Sequence, residues 1–258
     1  MTRGAVVTGG GTGIGAAIAR RLTADGFSVC VTGRRREPLD AVAAETGALA
    51  FVADTRDPGD ARNAVAAAKG AFGRLDLLVC NAGIGGSGTV EEQTPEGWDA
   101  VLGTNLTGAF LACRAALPEL VPTQGSLVTI SSDAGLRAGP RSAAYCTAKA
   151  GLIMLTQCIA LDYGPLGVRA NCICPGWIRT PMADAEMDEL GELKDTDREG
   201  AYELASSRVP LRRPGTPDEV AAAVAWLASA EAGFTTGAVL PIDGGNSIVD
   251  PSSMEFAA

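Results

Sequence analysis

Tyr145 and Lys149 stand four residues apart in Tyr145-Cys146-Thr147-Ala148-Lys149, a spacing that puts a phenol and an ammonium on one face of a helix. A free tyrosine ionises near pH 10 and moves protons poorly at neutrality. An ammonium beside it stabilises the phenolate and lowers that value, as a general acid/base requires. The pair gains weight from an absence, because the 258 residues include no histidine. Ser-His-Asp catalysis and His-ligated zinc are excluded, no metal is expected, and proton transfer falls to Tyr, Lys, Cys or a carboxylate.

A second chemistry is written near the N-terminus, in Thr8-Gly9-Gly10-Gly11-Thr12-Gly13-Ile14-Gly15. The stretch follows a short apolar run and opens a helix-like segment. Glycines there permit a tight turn and close approach of the backbone to a pyrophosphate, which faces the helix N-terminus. The next strand ends in Thr32-Gly33-Arg34-Arg35-Arg36. A dinucleotide fold selective for NAD places an acid at this point. Gly33 followed by Arg34, with Arg35 beside it, suits a 2′-phosphate instead, so NADP(H) is the expected cofactor and NAD(H) the alternative. Asp54, with Thr55, ends the third strand and is placed to accept from an adenine amino group.

These residues require a scaffold, and the chain supplies one as short β-branched runs alternating with Ala-rich stretches. Strands are expected at 5–7, 28–32, 48–52, 75–79, 126–130, 168–173 and 238–242. Helices are expected at about 13–24, 38–46, 58–72, 95–120, 142–163 and 216–230. The alternation predicts an α/β, Rossmann-like, doubly wound parallel sheet of about seven strands with helices on both faces. No linker or repeat divides it, so residues 1–258 are expected to form a single NAD(P)-binding domain. The acidic segment 181–214 is expected to be irregular and to act as a lid.

Hydrophobic residues make up 47% and aromatic residues 5% of the chain, with 33 glycines, a mix suited to close helix-on-sheet packing. The net charge of −9 argues against nucleic acid and anionic membranes as partners. The first apolar run is too short for a signal peptide, and the longest, 151–161, is too short to span a bilayer. Seven cysteines without disulfide spacing fit a reducing, cytoplasmic location. Cys172 and Cys174 alternate in a strand and are expected to be buried on one side.

Taken together, the motifs resemble the short-chain dehydrogenase/reductase family in its compact, single-domain branch. Thr8, Gly9, Gly13 and Gly15 are similar to its T-G-x-x-x-G-x-G, and Asn81-Ala82-Gly83 to its N-A-G turn. Asn105 matches the helix asparagine, and Ser132, 13 residues before Tyr145, the catalytic serine. Pro175-Gly176-Trp177-Ile178-Arg179-Thr180 matches the turn beside the nicotinamide, and Asp243-Gly244-Gly245 the C-terminal turn. The resemblance implies that Tyr145 exchanges a proton with a carbonyl or alcohol oxygen that Ser132 also binds. It implies that Lys149 lowers the Tyr145 pKa and holds the nicotinamide ribose, and that Asn105 holds a water in a proton relay. Further cofactor contacts are expected from Gly11, Thr12, Ile14, Asn81, Ala82, Gly83, Pro175, Gly176, Ile178, Thr180 and Met182, and a substrate contact from Trp177. The chain departs from the family at Cys80, where the N-N-A-G motif has its first Asn, and at Thr12, where many NADP-preferring members carry a base.

The resemblance implies an NAD(P)(H)-dependent oxidoreductase that interconverts a secondary alcohol and a ketone on a small free substrate. An alternative is 3-oxoacyl-carrier-protein reduction, but two docking places, Ser126 and Leu166, lack the basic residues an acidic carrier needs. Enoyl reduction uses a wider Tyr–Lys spacing. A non-catalytic cofactor sensor would be expected to have lost Tyr145 or Lys149. A homotetramer or homodimer is implied, packed through the helices at 95–120 and 142–163, where Ala109, Ala112, Ala115 and Ala116 would allow close approach. The tail 247–258 exceeds the minimal family ending, and Met254, Glu255 and Phe256 could reach a neighbour's site.

Overall fold

Every connection between strands must cross a face of the sheet, because all strand pairings are parallel. The computed structural model describes residues 2–250; most of the tail expected to reach a neighbour, 251–258, lies outside them. The strands are β1 (Arg3–Thr8), β2 (Phe27–Gly33), β3 (Leu49–Val52), β4 (Leu77–Cys80), β5 (Ser126–Ile130), β6 (Arg169–Pro175) and β7 (Val239–Ile242). Their order is β3-β2-β1-β4-β5-β6-β7. The chain leaves β3 at one edge and returns beyond β1 to start β4, so connections diverge above the C-terminal ends of β1 and β4. A crevice opens at such a switch point.

Both faces of the sheet are covered, so its strands are continuous apolar runs. Ala5, Val7, Val79, Val128 and Ile173 point to one core with Ile18, Leu22, Val224 and Leu227. These come from α1 (Gly13–Ala24) and α9 (Pro217–Ala228); α2 (Arg36–Thr46) adds Leu39 and Val42. Val6, Leu78 and Leu127 point the other way, against α3 (Pro58–Phe72), α5 (Gly108–Leu120) and α6 (Ala143–Tyr163). Local signals set the helix starts. Asp57 accepts from Gly59 and Asp60 N–H at 2.6 and 2.9 Å, and Thr216 and Glu219 form a capping box.

Four expectations need correction. The helix expected over 95–120 is broken in register: α4 (Pro95–Leu102) passes through a π-helical turn at Gly103–Thr107 into α5. The spans Pro95–Leu120 and Ala143–Leu166 are long and apolar enough, by length and composition, to cross a membrane. Unbroken apolar runs had hidden this, since Thr156 interrupts the run yet lies buried, its hydroxyl 2.7 Å from that of Thr129. Both spans bury one side on the sheet. Ala109, Ala112 and Ala116 belong to that inward side, so they do not form an outer packing surface; Phe110, Met154 and Leu161 are 44%, 58% and 78% exposed. Ser126 is buried and bonds Leu227 O, so it could offer no carrier a surface.

The acidic segment is the fourth correction. It forms two helices, α7 (Pro181–Lys194) and α8 (Arg198–Ser206). Thr180 and Asp197 cap them by accepting from Ala183 and Gly200 N–H at 3.2 and 2.8 Å. Ala183 and Met187, four residues apart, bury against Ala201 and Tyr202. The many acids had obscured this stripe, and arginines neutralise several of them: Arg198 binds Asp188, and Arg179 binds Glu199.

Candidate active site

Ser132 follows the end of β5, and Tyr145 and Lys149 lie on successive turns of α6, which packs across that end. The Ser132 side chain hydrogen-bonds the Tyr145 phenol and also donates to Asp133 Oδ1 at 3.1 Å. Lys149, 4% exposed, donates from Nζ to Ile130 O at 3.0 Å, and its Nζ lies 5.5 Å from the Tyr145 ring centre. Ser131 holds the helix to the strand by donating to Lys149 O at 2.8 Å. Cys172 and Cys174 are buried on β6 beneath the pair, as expected, and both act electrostatically on Lys149.

The electrostatics differ from the expectation. Burial pushes the Tyr145 phenol up to about 12, only partly offset by the Ser132 bond, while Glu186 and Asp133 push it further up. Burial also brings the Lys149 ammonium down to about 8. Lys149 is thus turned towards the Ile130 carbonyl, and desolvation, not its field, sets the phenol.

Asn105 sits inside the π-helical turn, 1% exposed. Its side chain donates to Ile84 O at 2.9 Å and accepts from Ile84 N–H at 2.8 Å. Each end of the amide makes one bond to the same residue, so Asn105 anchors the loop after β4 and keeps one further N–H and one lone pair. A side chain at Gly83 would lie 3.3 Å from Asn105 Oδ1 and 3.6 Å from Lys149 Nζ. The backbone there separates the two groups with no room to spare.

At the switch point, Thr8 and Asn81 clasp β1 to β4. Thr8 Oγ1 accepts from Asn81 and Ala82 N–H at 3.0 and 3.1 Å, and Asn81 Nδ2 donates to Thr8 O and Gly9 O at 3.0 and 3.1 Å. A side chain at Gly15 would stand 2.1 Å from Gly9 O, and Gly13 turns at φ +53° beside Thr180. No side chain caps α1 and no acid lies in its first turn, so the amides of Gly13, Ile14 and Gly15 face outward from an uncapped, positive helix end. This donor set fits a dinucleotide pyrophosphate. Arg34 is exposed and makes no hydrogen bond or ion pair among the described residues, whereas Asp54 is held well below the usual carboxylate range, at about 2, by Arg56. That pairing competes with the expected adenine contact of Asp54. Thr55 lies beside it, against Gly108.

Similarity to known proteins extends over the same ground. A family model described as Enoyl-(Acyl carrier protein) reductase matches residues 9–247. Protein MoaE of Klebsiella aerogenes is 44% identical over all of both chains. The 2-(R)-hydroxypropyl-CoM dehydrogenase of Xanthobacter autotrophicus is 39% identical over 95% of this chain and 98% of its own. Levodione reductase superposes with a TM-score of 0.91 at 35% identity, over 96% of this chain and 98% of its own. An actinorhodin polyketide ketoreductase with NADPH gives 0.92 at 33%, with the same coverage. The chain belongs to the short-chain dehydrogenase/reductase family. It is an oxidoreductase that acts on CH–OH groups with NAD(P)(H).

Not every candidate residue lies at the reacting centre. Pro175 and Ile178 are buried, and Ile14 packs on the same core as Ile178. Gly176 leaves room for Asp243, whose Cβ would lie 2.9 Å from an added side chain. Gly11 and Thr12 are accessible in the turn, and Arg35 and Met182 are exposed. Trp177 packs beneath α7 and α8 and lines a cavity of about 410 Å³ with Val209, Leu211 and Ile242, which includes none of the four catalytic candidates. Sequence reasoning missed Asp133, which Asn246 holds at 2.7 Å, and Glu186 on α7. Asp133 adjoins the serine and could have been found; Glu186 could not, because only the fold of the lid brings it near Tyr145.

Proposed function

We propose that the protein interconverts a secondary alcohol and a ketone on a small free substrate, with Tyr145 Oη as the group that gives or takes the proton. The convergence of Ser132, Tyr145 and Lys149 on the end of β5 carries this reading. When bound, the nicotinamide ring supplies or accepts the hydride. Ser132 binds the substrate oxygen beside Tyr145, Lys149 holds the ribose, and Asn105 positions the loop that bounds the site. The amides of α1, with Gly9, Gly11 and Thr12, hold the pyrophosphate; Asn81, Ala82 and Gly83 and the turn from Pro175 to Thr180 bound the ring.

NADP(H) is the cofactor this reading favours, because Arg34 is uncommitted and no acid ends β2. The burial of Ser126 and the charge of −9 weigh against carrier-bound substrates. Subunits pair through the outer faces of α5 and α6, where Phe110, Met154 and Leu161 are exposed. The test is absorbance of the reduced nicotinamide across a panel of small alcohols and ketones with each cofactor. Turnover that vanishes in Tyr145→Phe supports the reading, and a flat trace across the panel overturns it.

A further inference from the structure

Several acids of the lid are engaged. Asp184 accepts from Tyr202 Oη at 2.8 Å, Asp188 pairs with Arg198 at 2.7 Å, and Glu199 pairs with Arg179 at 2.6 Å. Glu186, on the same helix, forms no hydrogen bond or ion pair among the described residues. Its Oε1 lies 3.2 Å from the point where a side chain at Gly85 would begin. Gly85 belongs to the loop that Asn105 anchors, so the carboxylate leans across the gap between lid and loop. That loop borders the reacting centre, since Ile84, next to Gly85, packs in one cluster with Tyr145, and Glu186 stands exposed at its rim. The other acid near the phenol, Asp133, is already bonded by Ser132 and Asn246. One uncommitted carboxylate therefore borders the reacting centre with no arginine opposite it.

An unpaired anion at the edge of a partly desolvated site attracts a hydrogen-bond donor and repels a second anion. We infer that Glu186 selects the substrate: it receives a donor group, an ammonium or a second hydroxyl, carried on the same small molecule whose alcohol or ketone reacts at Tyr145. The substrate class is thus an amino alcohol or diol and its ketone, and hydroxy acids are turned away. The inference rests on the redox reading above.

The experiment compares kcat and KM for 1-amino-2-propanol, 2,3-butanediol, 2-butanol and 3-hydroxybutyrate in wild type, Glu186→Gln and Glu186→Lys. In wild type the donor-bearing alcohols should exceed 2-butanol at least tenfold in kcat/KM, with 3-hydroxybutyrate lowest. Glu186→Gln should lower the donor-to-2-butanol ratio about tenfold through KM, any change in kcat through Tyr145 being shared by all the alcohols, and Glu186→Lys should raise 3-hydroxybutyrate above 2-butanol. A fall confined to the amino alcohol identifies an ammonium as the donor; one confined to the diol identifies a hydroxyl. Ratios equal within twofold in all three proteins overturn the inference and leave the redox reading standing. If no alcohol is oxidised at all, the redox reading fails by itself. Calorimetric binding of 1-amino-2-propanol and 2,3-butanediol with NADPH present then decides about Glu186: binding lost in Glu186→Gln upholds its role, and binding of neither to wild type, or equal binding to both proteins, overturns it.

Discussion

The phenol of Tyr145 and the ammonium of Lys149 are pulled by burial in opposite directions, one up to about 12 and the other down to about 8. Tyr145→Phe keeps the ring and removes the proton carrier, so kcat/KM should fall about 10²- to 10⁴-fold while NADPH still binds, as fluorescence titration would show. Lys149 has a depressed folded-state pKa, so between pH 8 and its unfolded value near 10.5 the unfolded chain holds the extra proton. Its contribution to stability therefore rises with pH across that window and is most adverse below it. Lys149→Met should accordingly melt above wild type at pH 7, and thermal scans should find the gap closing towards pH 10.5. Arg34→Ala should weaken NADPH binding about tenfold or more and leave NADH nearly unchanged. Ser132, Tyr145 and Lys149 were legible in the sequence because helical spacing and a missing histidine left few other candidates. The expected lowering of the tyrosine by the lysine failed, because spacing says nothing of how dry the site is or which carbonyl the ammonium meets.

Helices and turns hold these groups in place, and their legibility varied with how their determinants are written. The strands and α1 and α3 could be read directly, since apolar runs and flanking Pro and Gly are local. The lid could not, because Ala183, Met187, Ala201 and Tyr202 become a stripe only when α7 and α8 pack together. Thr180→Ala removes the cap of α7 and should cost about 1 kcal/mol, read as faster hydrogen exchange in residues 181–194 and a raised KM. The π-helical turn left no compositional trace either. It places Asn105 against Ile84 and then returns Ala109, Ala112 and Ala116 to the sheet. Gly83→Ala would press on Asn105 and Lys149 together, and activity should fall more than the melting temperature.

At the scale of the whole molecule, the outer sides of α5 and α6 expose Phe110, Met154 and Leu161. Met154→Glu combined with Leu161→Glu should shift sedimentation from an oligomer towards a monomer, with circular dichroism unchanged. The sequence conveyed the layered architecture, because alternation of β and α allows few topologies; it misassigned the alanines to the outer surface because a helix's facing depends on its register, which the π-helical turn alters. The strand order has one more consequence, for biosynthesis. β1 pairs on one side with β2, close behind it, but on the other with β4, whose residues 77–80 are made much later. At about 5–20 residues per second, the ribosome leaves the inner edge of β1 unpaired for several seconds. During that interval the growing chain presents a bare strand edge to its neighbours, and a chaperone would find its most useful work in the first third of translation.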